Sequence, residues 1–422
     1  MTIAERLVDH LHPWLAELRA DPGGEAAFWE RVARERAPLI ETDPERPDHS
    51  LVTYVYPIDG EAQHVVVQPG FGDAVDNVMD RIAGTNVCHA SFRYRNDVRA
   101  TYSFAPDMPP ISWRSAGETS WRALLAFVGA HQPAPDPYHR EFFASRAGEG
   151  LPDNIASILT LPDAPSQTVV DKRVDVPRGH IDRSLFRSEV MGNERRVWVY
   201  TPPGYEARKG AYPVLVAFDG GAALSLTPTH RILDNLLAEG RIAPLIAVFV
   251  DNATDTSRNQ ELPCSEDFAR SIETELLPWV RQNYAVSDDP RDGYVTGLSY
   301  GGLASFWMGF RLPHLFGNVI SQSASLWWGP GFEMGKPQAA QNCGHEWLID
   351  QYAKAPSLPL RVWMEIGLME PDDRMIEPNR RMKVVLEAKG YDVTYQEFAG
   401  GHDHAAWRGT FATALETMLP PG

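Results

Sequence analysis

The sequence predicts an α/β fold, a mostly parallel sheet covered by helices, preceded by a small N-terminal β-sandwich domain. The chain has 422 residues, which is long enough for two or three domains of roughly 150 residues each. Short apolar strands alternate with longer helical patterns beyond about Val170, whereas β-branched and aromatic runs separated by turn-rich pieces come before it. We expect the sandwich over residues 1–150, a linker over 151–175 and the α/β domain over 176–422.

The N-terminal part is predicted to contain a helical start followed by strands. Ile3, Leu7, Leu11 and Leu15 recur at helical intervals, which predicts an amphipathic helix. Strands are predicted where β-branched and aromatic residues are concentrated, over 51–57, 64–69, 87–94 and 98–104. The proline-rich stretch 108–137 and the sequence LPDAPSQ from Leu161 predict connecting segments.

The C-terminal part is predicted to alternate strands with helices. Strands are predicted over 196–200, 214–218, 245–250, 293–298, 319–322, 361–366 and 393–398. Helices are predicted over 268–280, 303–310, 375–389 and 407–418. Pro278 should bend or shorten the first of these helices, since proline lacks the N–H that a helix needs.

The composition excludes several classes of function. Lys and Arg number 39 against 56 Asp and Glu, and a formal charge of −17 repels phosphate backbones and anionic lipid. We therefore expect neither nucleic acid nor a membrane as a partner. Cys88, Cys264 and Cys343 have no spacing typical of disulfides or a zinc site. The start of the chain lacks the apolar core of a signal peptide. No stretch approaches the roughly twenty apolar residues of a membrane-spanning helix. We expect a cytoplasmic protein without a cofactor or bound metal.

The sequence GLSYGG at 297–302 has the pattern of a nucleophile elbow. It follows a β-run over 294–296 and precedes a helical pattern, so the chain must turn sharply from strand to helix. Glycines are needed at such a turn because a β-carbon would clash, and the helix N-terminus offers positive potential to an oxyanion. This context predicts an α/β-hydrolase fold with Ser299 as the nucleophile.

A serine nucleophile needs a base, and in this fold the chain order is serine, acid, histidine. His402 fits that order, because it follows the last predicted strand and two glycines that allow its loop to approach the serine. His404 is the alternative, although it already begins the next helix and suits a capping or surface role.

The acid should lie after the strand over 361–366, where three carboxylates compete. Glu370 is nearest to the strand end and is followed by Pro371, which stiffens the loop. Asp372 or Asp373 could instead cap the following helix. Glu370 is the favoured candidate.

The second oxyanion donor should come from a loop after an earlier strand. The sequence Asp-Gly-Gly-Ala at 219–222 is in that place. Backbone N–H groups of Gly221 or Ala222, together with that of Tyr300, are the predicted donors, although a simple turn would use the same glycines.

Eight segments, spread over most of the chain, carry a family resemblance: FWERVARERAPLIE, DRIAGTNV, VRATYSF, RNQELPC, ELLPWV, GLSYGGLAS, FGNVISQSASLWW and GGHDHAAWR. With them the sequence resembles the cytoplasmic enterochelin (enterobactin) esterases, which hydrolyse the lactone bonds of imported ferric catecholate siderophores. The resemblance implies Ser299 as nucleophile, His402 as base and a carboxylate at Glu370, although some related trilactone hydrolases work largely as a Ser-His pair.

A ferric tris-catecholate is a trianion, so it would need local cations. Arg258, Arg408 and Arg99 lie in matched segments, although each could instead pair with a surface carboxylate. Trp327 and Trp328 could stack on catechol rings, or pack in the core or a lid.

Two other functions compete with a siderophore esterase. The hydrolase part alone could serve a feruloyl-type, formylglutathione or acyl-transferring enzyme, since fold does not determine substrate. A non-catalytic binder of siderophore or carbohydrate is disfavoured, because Ser299, Glu370 and His402 occur in the order that catalysis requires.

Overall fold

Three β-sheets organise the chain in a computed structural model, which describes residues 3–58, 60–112, 118–145, 154–207, 210–254, 256–333, 336 and 345–421. Two sheets belong to the N-terminal part and the third, of eight strands, to the C-terminal part. None of the described helices combines the length and apolar character needed to cross a membrane.

The N-terminal strands are β1 (Ala4–Leu7), β2 (Leu39–Thr42), β3 (His49–Pro57), β4 (Val65–Gln68), β5 (Asp80–Arg81), β6 (Val87–Arg95), β7 (Arg99–Pro106), β8 (Phe142–Ser145) and β9 (Asn154–Thr160). One sheet has the order β1-β6-β3-β2 with β5 beside β6, and the other has the order β4-β7-β9-β8. Apolar side chains of both sheets form a single cluster between them. We call this unit, residues 3–160, the N-terminal sandwich.

Two N-terminal predictions are wrong. The predicted helical start is instead strand β1, which pairs antiparallel with β6 and opposes Ala4 to Tyr94; the first helix, α1, covers Pro13–Ala20 and is followed by α2 at Glu25–Glu35. The first leucines have helical spacing, but Ala4–Leu7 forms a strand because it pairs with β6, which is remote in sequence. The predicted connection over 108–137 contains a helix, α3, at Glu118–Ala130.

The linker predicted over 151–175 begins too early. Strand β9 lies inside it and pairs with β7 and β8, so the N-terminal sandwich extends to Thr160. A strand that completes a sheet cannot be part of a flexible connection, because its backbone hydrogen bonds tie it to that sheet.

The eight-stranded sheet consists of β10 (His180–Ser188), β11 (Asn193–Thr201), β12 (Val214–Phe218), β13 (Ile246–Val250), β14 (Gly293–Leu298), β15 (Asn318–Gln322), β16 (Arg361–Gly367) and β17 (Asp392–Phe398). Its order is β10-β11-β13-β12-β14-β15-β16-β17. The pairs β10-β11 and β11-β13 are antiparallel, and every pair from β13-β12 to β16-β17 is parallel. The carboxyl ends of β14, β16 and β17 therefore meet at one edge of the sheet. The predicted α/β architecture is confirmed.

The helices of this part are α4 (Gly220–Ser225), α5 (Thr229–Ala238), α6 (Arg258–Glu261), α7 (Glu266–Ser271), α8 (Leu277–Asn283), α9 (Tyr300–Arg311), α10 (Trp347–Lys354), α11 (Glu377–Ala388) and α12 (His404–Met418). They bury two large apolar clusters, one on each face of the sheet. A π-helical turn, Ile272–Leu276, joins α7 to α8, and Pro278 follows it in the first turn of α8. The proline therefore lies where the helix departs from regular α geometry and not in a regular α-helix.

Candidate active site

Ser299 stands at a strained turn between β14 and α9. Its backbone has φ 58° and ψ −115°, a conformation that residues other than glycine rarely adopt. A β-carbon at Gly297 would lie 2.4 Å from the carbonyl carbon of Gly301, so this pair of glycines lets the turn close. The turn leaves the backbone N–H of Tyr300 at the first position of α9, where a helix has no internal partner for it.

The Ser299 hydroxyl lies 3.2 Å from the hydroxyl oxygen of Ser325. The N–H of Ser325 donates to the carbonyl oxygen of Ser299, and the N–H of Ser299 donates to that of Gln322. Within the described residues, no hydrogen bond joins Ser299 to His402. Catalytic hydrogen bonds of substrate-free sites are often long and tighten when substrate binds.

His402 is paired with Glu370. The loop after β17 carries His402 and the loop after β16 carries Glu370, and their Nδ1 and Oε2 atoms are 2.7 Å apart. The imidazole is 39% exposed, whereas the carboxylate is fully buried. A buried carboxylate on Nδ1 leaves the other ring nitrogen, Nε2, as the proton acceptor.

The other oxygen of Glu370 is held by two donors. The Ser323 hydroxyl donates to Oε1 at 2.5 Å and the backbone N–H of Gly367 at 3.1 Å. The Ser323 oxygen accepts in turn from the indole N–H of Trp407 at 2.9 Å. The carboxylate is therefore satisfied without water and is fixed in orientation.

The alternative acid and base candidates lie elsewhere. Asp372 and Asp373 are exposed in the first turn of the helical segment that leads into α11. His404 contacts the Thr227 hydroxyl at 3.0 Å, and burial lowers the pKa of His404 to about 4, which leaves it neutral at pH 7. The structure brings Glu370 and His402 together and leaves these three residues outside the pair.

One of the predicted oxyanion donors is wrong. The N–H of Gly221 donates to the Asp251 carboxylate at 3.2 Å, in a buried position, so it is not available to a substrate. The N–H of Ala222 lies in the first turn of α4, where helices leave N–H groups without internal partners. Ala222 and Tyr300 are the remaining pair.

Arg258 forms an ion pair with the loop that leads to Ala222. Its Nε and Nη2 atoms donate to the two carboxylate oxygens of Asp219 at 2.7 and 2.8 Å. Asp219 has a left-handed backbone with φ 53° and also accepts from the Asn252 side chain at 2.7 Å. Arg258 therefore holds Asp219, the first residue of the loop that is predicted to carry an oxyanion donor (the oxyanion loop). Its role as a contact to an anionic substrate stays a prediction.

Arg99 and Arg408 have hydrogen-bond partners in the chain that joins the two parts of the protein. Arg99 donates to the carbonyl oxygen of Pro165 at 2.5 Å, and Arg408 donates to the side-chain oxygen of Gln167 at 2.7 Å. Both acceptors belong to the chain between the two parts of the protein. The role of Arg99 and Arg408 as substrate contacts stays a prediction.

The two tryptophans belong to the packing around α9. Trp327 is 9% exposed, is a member of the large core cluster and lies 6.1 Å from the Tyr300 ring, between ring centroids. Trp328 packs against Trp347 at 6.3 Å. Burial of Trp327 leaves little of its ring for a catechol.

Arg374 was not predicted from the sequence, and its guanidinium lies 4.3 Å from the centroid of the Trp327 ring. Ser323, Ser325 and Trp407 were not predicted either. Trp407 stands in the segment GGHDHAAWR, but its partner Ser323 is 84 residues away, so no local spacing could reveal the contact. Arg374 carried a weak signal, namely a cation four residues beyond Glu370.

A cleft of about 840 Å³ opens beside the histidine and the acid. The N-terminal sandwich contributes one wall, which includes Gln68, Phe71 and Met108. Leu368, Glu370 and His402 lie on the opposite side. The N-terminal sandwich and the α/β part therefore both line this cleft.

Comparisons with known proteins agree with both parts of the chain. Residues 188–418 match a family described as putative esterase, and residues 53–170 match one described as enterochelin esterase, N-terminal. The chain is 30% identical to the iron(III) enterobactin esterase of Dickeya dadantii over 96% of each chain. It is 29% identical to that of Escherichia coli K12, over 81% of this chain and 82% of the relative.

A crystal structure of the enterobactin esterase of Shigella flexneri, determined in the presence of enterobactin, superposes with a TM-score of 0.72. The two chains are 26% identical, and the match covers 94% of this chain and 98% of the other. Fold and comparisons together define a carboxylic-ester hydrolase of the α/β-hydrolase type. More narrowly, the chain belongs to the enterobactin esterase family.

Proposed function

We propose that this protein is a serine esterase that hydrolyses the ester (lactone) bonds of a catecholate siderophore or its ferric complex, with release of iron. The observation that carries the proposal is the 2.7 Å contact of His402 with the buried Glu370, at a cleft lined by both parts of the chain. The elbow conformation of Ser299 supports it.

The chemistry follows from the roles of three side chains. Ser299 attacks the ester carbonyl while His402 accepts its proton, and Glu370 stabilises the imidazolium that forms. The N–H groups of Tyr300 and Ala222 stabilise the oxyanion. His402 then protonates the departing alcohol, and water releases the acyl group from Ser299.

The substrate class is proposed from the family and from the shared cleft. Relatives are named for iron(III) enterobactin, and a cleft of about 840 Å³ has room for a bulky ester. Arg374 is the cation that we assign to the anionic end of a catecholate, since its guanidinium lies against Trp327 next to Tyr300. The iron belongs to the substrate and not to the protein.

We further propose a cytoplasmic location and a small-molecule ester as the partner. Cys88 and Cys264 are free thiols in the structure, which agrees with a reducing compartment. Cys343 lies outside the described residues.

Product analysis by mass spectrometry tests the function. The protein is incubated in parallel with a cyclic tri-serine catecholate, its iron complex and a small aryl ester, and Ser299→Ala serves as the control. We expect ring-opened and shorter serine catecholates from wild type and none from Ser299→Ala. Cleavage of the aryl ester alone would reject the siderophore assignment and favour a feruloyl-type esterase.

A further inference from the structure

We propose that the N-terminal sandwich is a structural part of the catalytic apparatus, because it holds the two loops that carry Glu370 and His402. The inference rests on the catalytic roles proposed above for these residues. It goes beyond substrate selection, which would require the N-terminal sandwich to line the cleft but not to fix the loops. Two independent sets of contacts carry it, one on each loop.

Met369 anchors the acid loop in the N-terminal sandwich. Its side chain is 5% exposed and belongs to the apolar cluster between the two N-terminal sheets, with members on β3, β4, β6, β7 and β9. Leu368 packs against the same cluster. Because Glu370 is the next residue in the chain, its backbone can shift only if Met369 leaves that core.

Strand β7 holds the histidine loop by its backbone. The N–H of Arg99 donates to the carbonyl oxygen of Ala399 at 3.2 Å, and the N–H of Thr101 donates to the Asp403 carboxylate at 3.3 Å. The other oxygen of Asp403 caps the first turn of α12. His402 thus lies between two residues that are bonded to one strand of the N-terminal sandwich.

Two glycines allow this close approach. A β-carbon at Gly400 would lie 2.9 Å from the carbonyl oxygen of Arg99, and one at Gly401 would lie 2.8 Å from that of Gly70. Neither contact is tolerable for a larger residue without a backbone shift. The two loops are also tied to each other, since the N–H of Met369 donates to the carbonyl oxygen of Gly400 at 3.0 Å.

Loosening these contacts should therefore slow the hydrolysis of every ester, including one too small to touch the N-terminal sandwich. A misplacement of about 1 Å in a catalytic group costs on the order of 10²-fold in rate. A sandwich that only selects substrates would leave a small ester unaffected.

The test compares Met369→Ala with Met79→Ala, using p-nitrophenyl acetate as the substrate. Met79 is also 5% exposed and lies in the same cluster, but it is not in either catalytic loop and does not line the cleft. We expect kcat to fall about tenfold or more in Met369→Ala with KM within about twofold, and to stay within about twofold of wild type in Met79→Ala. Met369→Leu, which conserves volume, should restore most of kcat.

A second variant avoids the apolar core. Asp403→Ser retains one oxygen to cap α12 but has none left for Thr101, so kcat should also fall. The inference is overturned if Met369→Ala and Asp403→Ser both retain wild-type kcat, or if Met79→Ala loses as much kcat as Met369→Ala. This test uses no siderophore, so its outcome does not depend on the proposed substrate. Failure of the proposed function would appear differently, as wild-type protein that cleaves the aryl ester but not the lactone.

Discussion

The indole N–H of Trp407 donates a 2.9 Å hydrogen bond to the hydroxyl oxygen of Ser323. That hydroxyl has a single proton, which it donates to Glu370, so the indole determines the direction in which the hydroxyl points. The Trp407 ring also meets the His402 ring edge to face, with 4.7 Å between centroids. One side chain of α12 therefore orients both the acid and the histidine.

Trp407→Phe should reduce kcat roughly 5- to 10-fold, because it keeps an aromatic ring beside His402 but removes one hydrogen bond worth about 1 kcal/mol. Trp307→Phe is the matched control, since Trp307 is equally buried at 3% exposure and its indole N–H donates to the Ser265 carbonyl oxygen at 3.1 Å. Aryl-ester kinetics of both variants provide the measurement.

The same change made in a Ser323→Ala background should cost no further kcat, since the indole acts on Glu370 through that hydroxyl. Additive losses, or an equal loss in Trp307→Phe, would mean that Trp407 contributes only to packing.

Glu370→Gln should lower kcat by about 10²- to 10⁴-fold, because the imidazolium loses its buried charged partner. Asp372→Asn and Asp373→Asn should each stay within about twofold of wild type, since both side chains are exposed. Steady-state kinetics on an aryl ester rank the three variants. A larger loss in either aspartate variant would move the acid, and mild losses in all three would indicate a Ser-His pair.

The Ser299 turn and the contact of Glu370 with His402 could be predicted because their causes are visible in the sequence. The turn follows from steric limits within six residues, and the contact follows from the order of strand ends in a parallel sheet. The Gly221 donor was misassigned because its N–H is taken by Asp251, 30 residues away. The pairing of Arg258 with Asp219 is equally remote, at 39 residues.

In the fold, too, elements with a local sequence signal were predicted and elements that depend on remote contacts were not. Strands β12 and β14 have the predicted bounds because their apolar runs are continuous and buried on both faces. Strand β10, His180–Ser188, was missed because it is a charged edge strand whose residues before Ser188 are exposed or only half-buried, so apolar content gave no signal. Its hairpin with β11 is what makes it a strand.

Arg258→Ala should lower kcat for a neutral aryl ester as well as for a ferric catecholate, by about tenfold or more. The change leaves the Asp219 carboxylate, which is 8% exposed, without its bidentate partner at the start of the oxyanion loop. Arg258→Lys should recover only part of kcat, because an ammonium cannot bind both oxygens in the same geometry.

Measuring both substrates at low and high salt separates two roles for Arg258. A loss confined to the ferric complex that shrinks as salt rises would assign this side chain to the substrate and not to the loop.

Glu365 provides a prediction about stability and pH. Its side chain is fully buried on β16, where it accepts hydrogen bonds from Thr410 at 2.6 Å and Gln322 at 2.5 Å. Burial disfavours the charged form and raises the pKa of Glu365 to about 7, and these two hydrogen bonds only partly oppose that effect.

A glutamate in an unfolded chain titrates at about 4.3. Between that pH and about 7 the folded protein therefore binds a proton that the unfolded chain has lost. Stability from the neutral carboxyl is therefore present at low pH and lost as pH rises through about 7. Glu365→Gln keeps the shape of the side chain and stays neutral at every pH. The free energy of unfolding of the variant minus that of wild type should therefore increase by up to about 3 kcal/mol between about pH 5 and 8. Urea unfolding of both proteins at the two pH values measures this difference. Burial lowers the pKa of His404 to about 4, which changes stability with pH in the opposite direction. That contribution is the same in both proteins and therefore cancels. A difference that is constant or shrinks with pH would show that Glu365 is already ionised in the folded protein at pH 5.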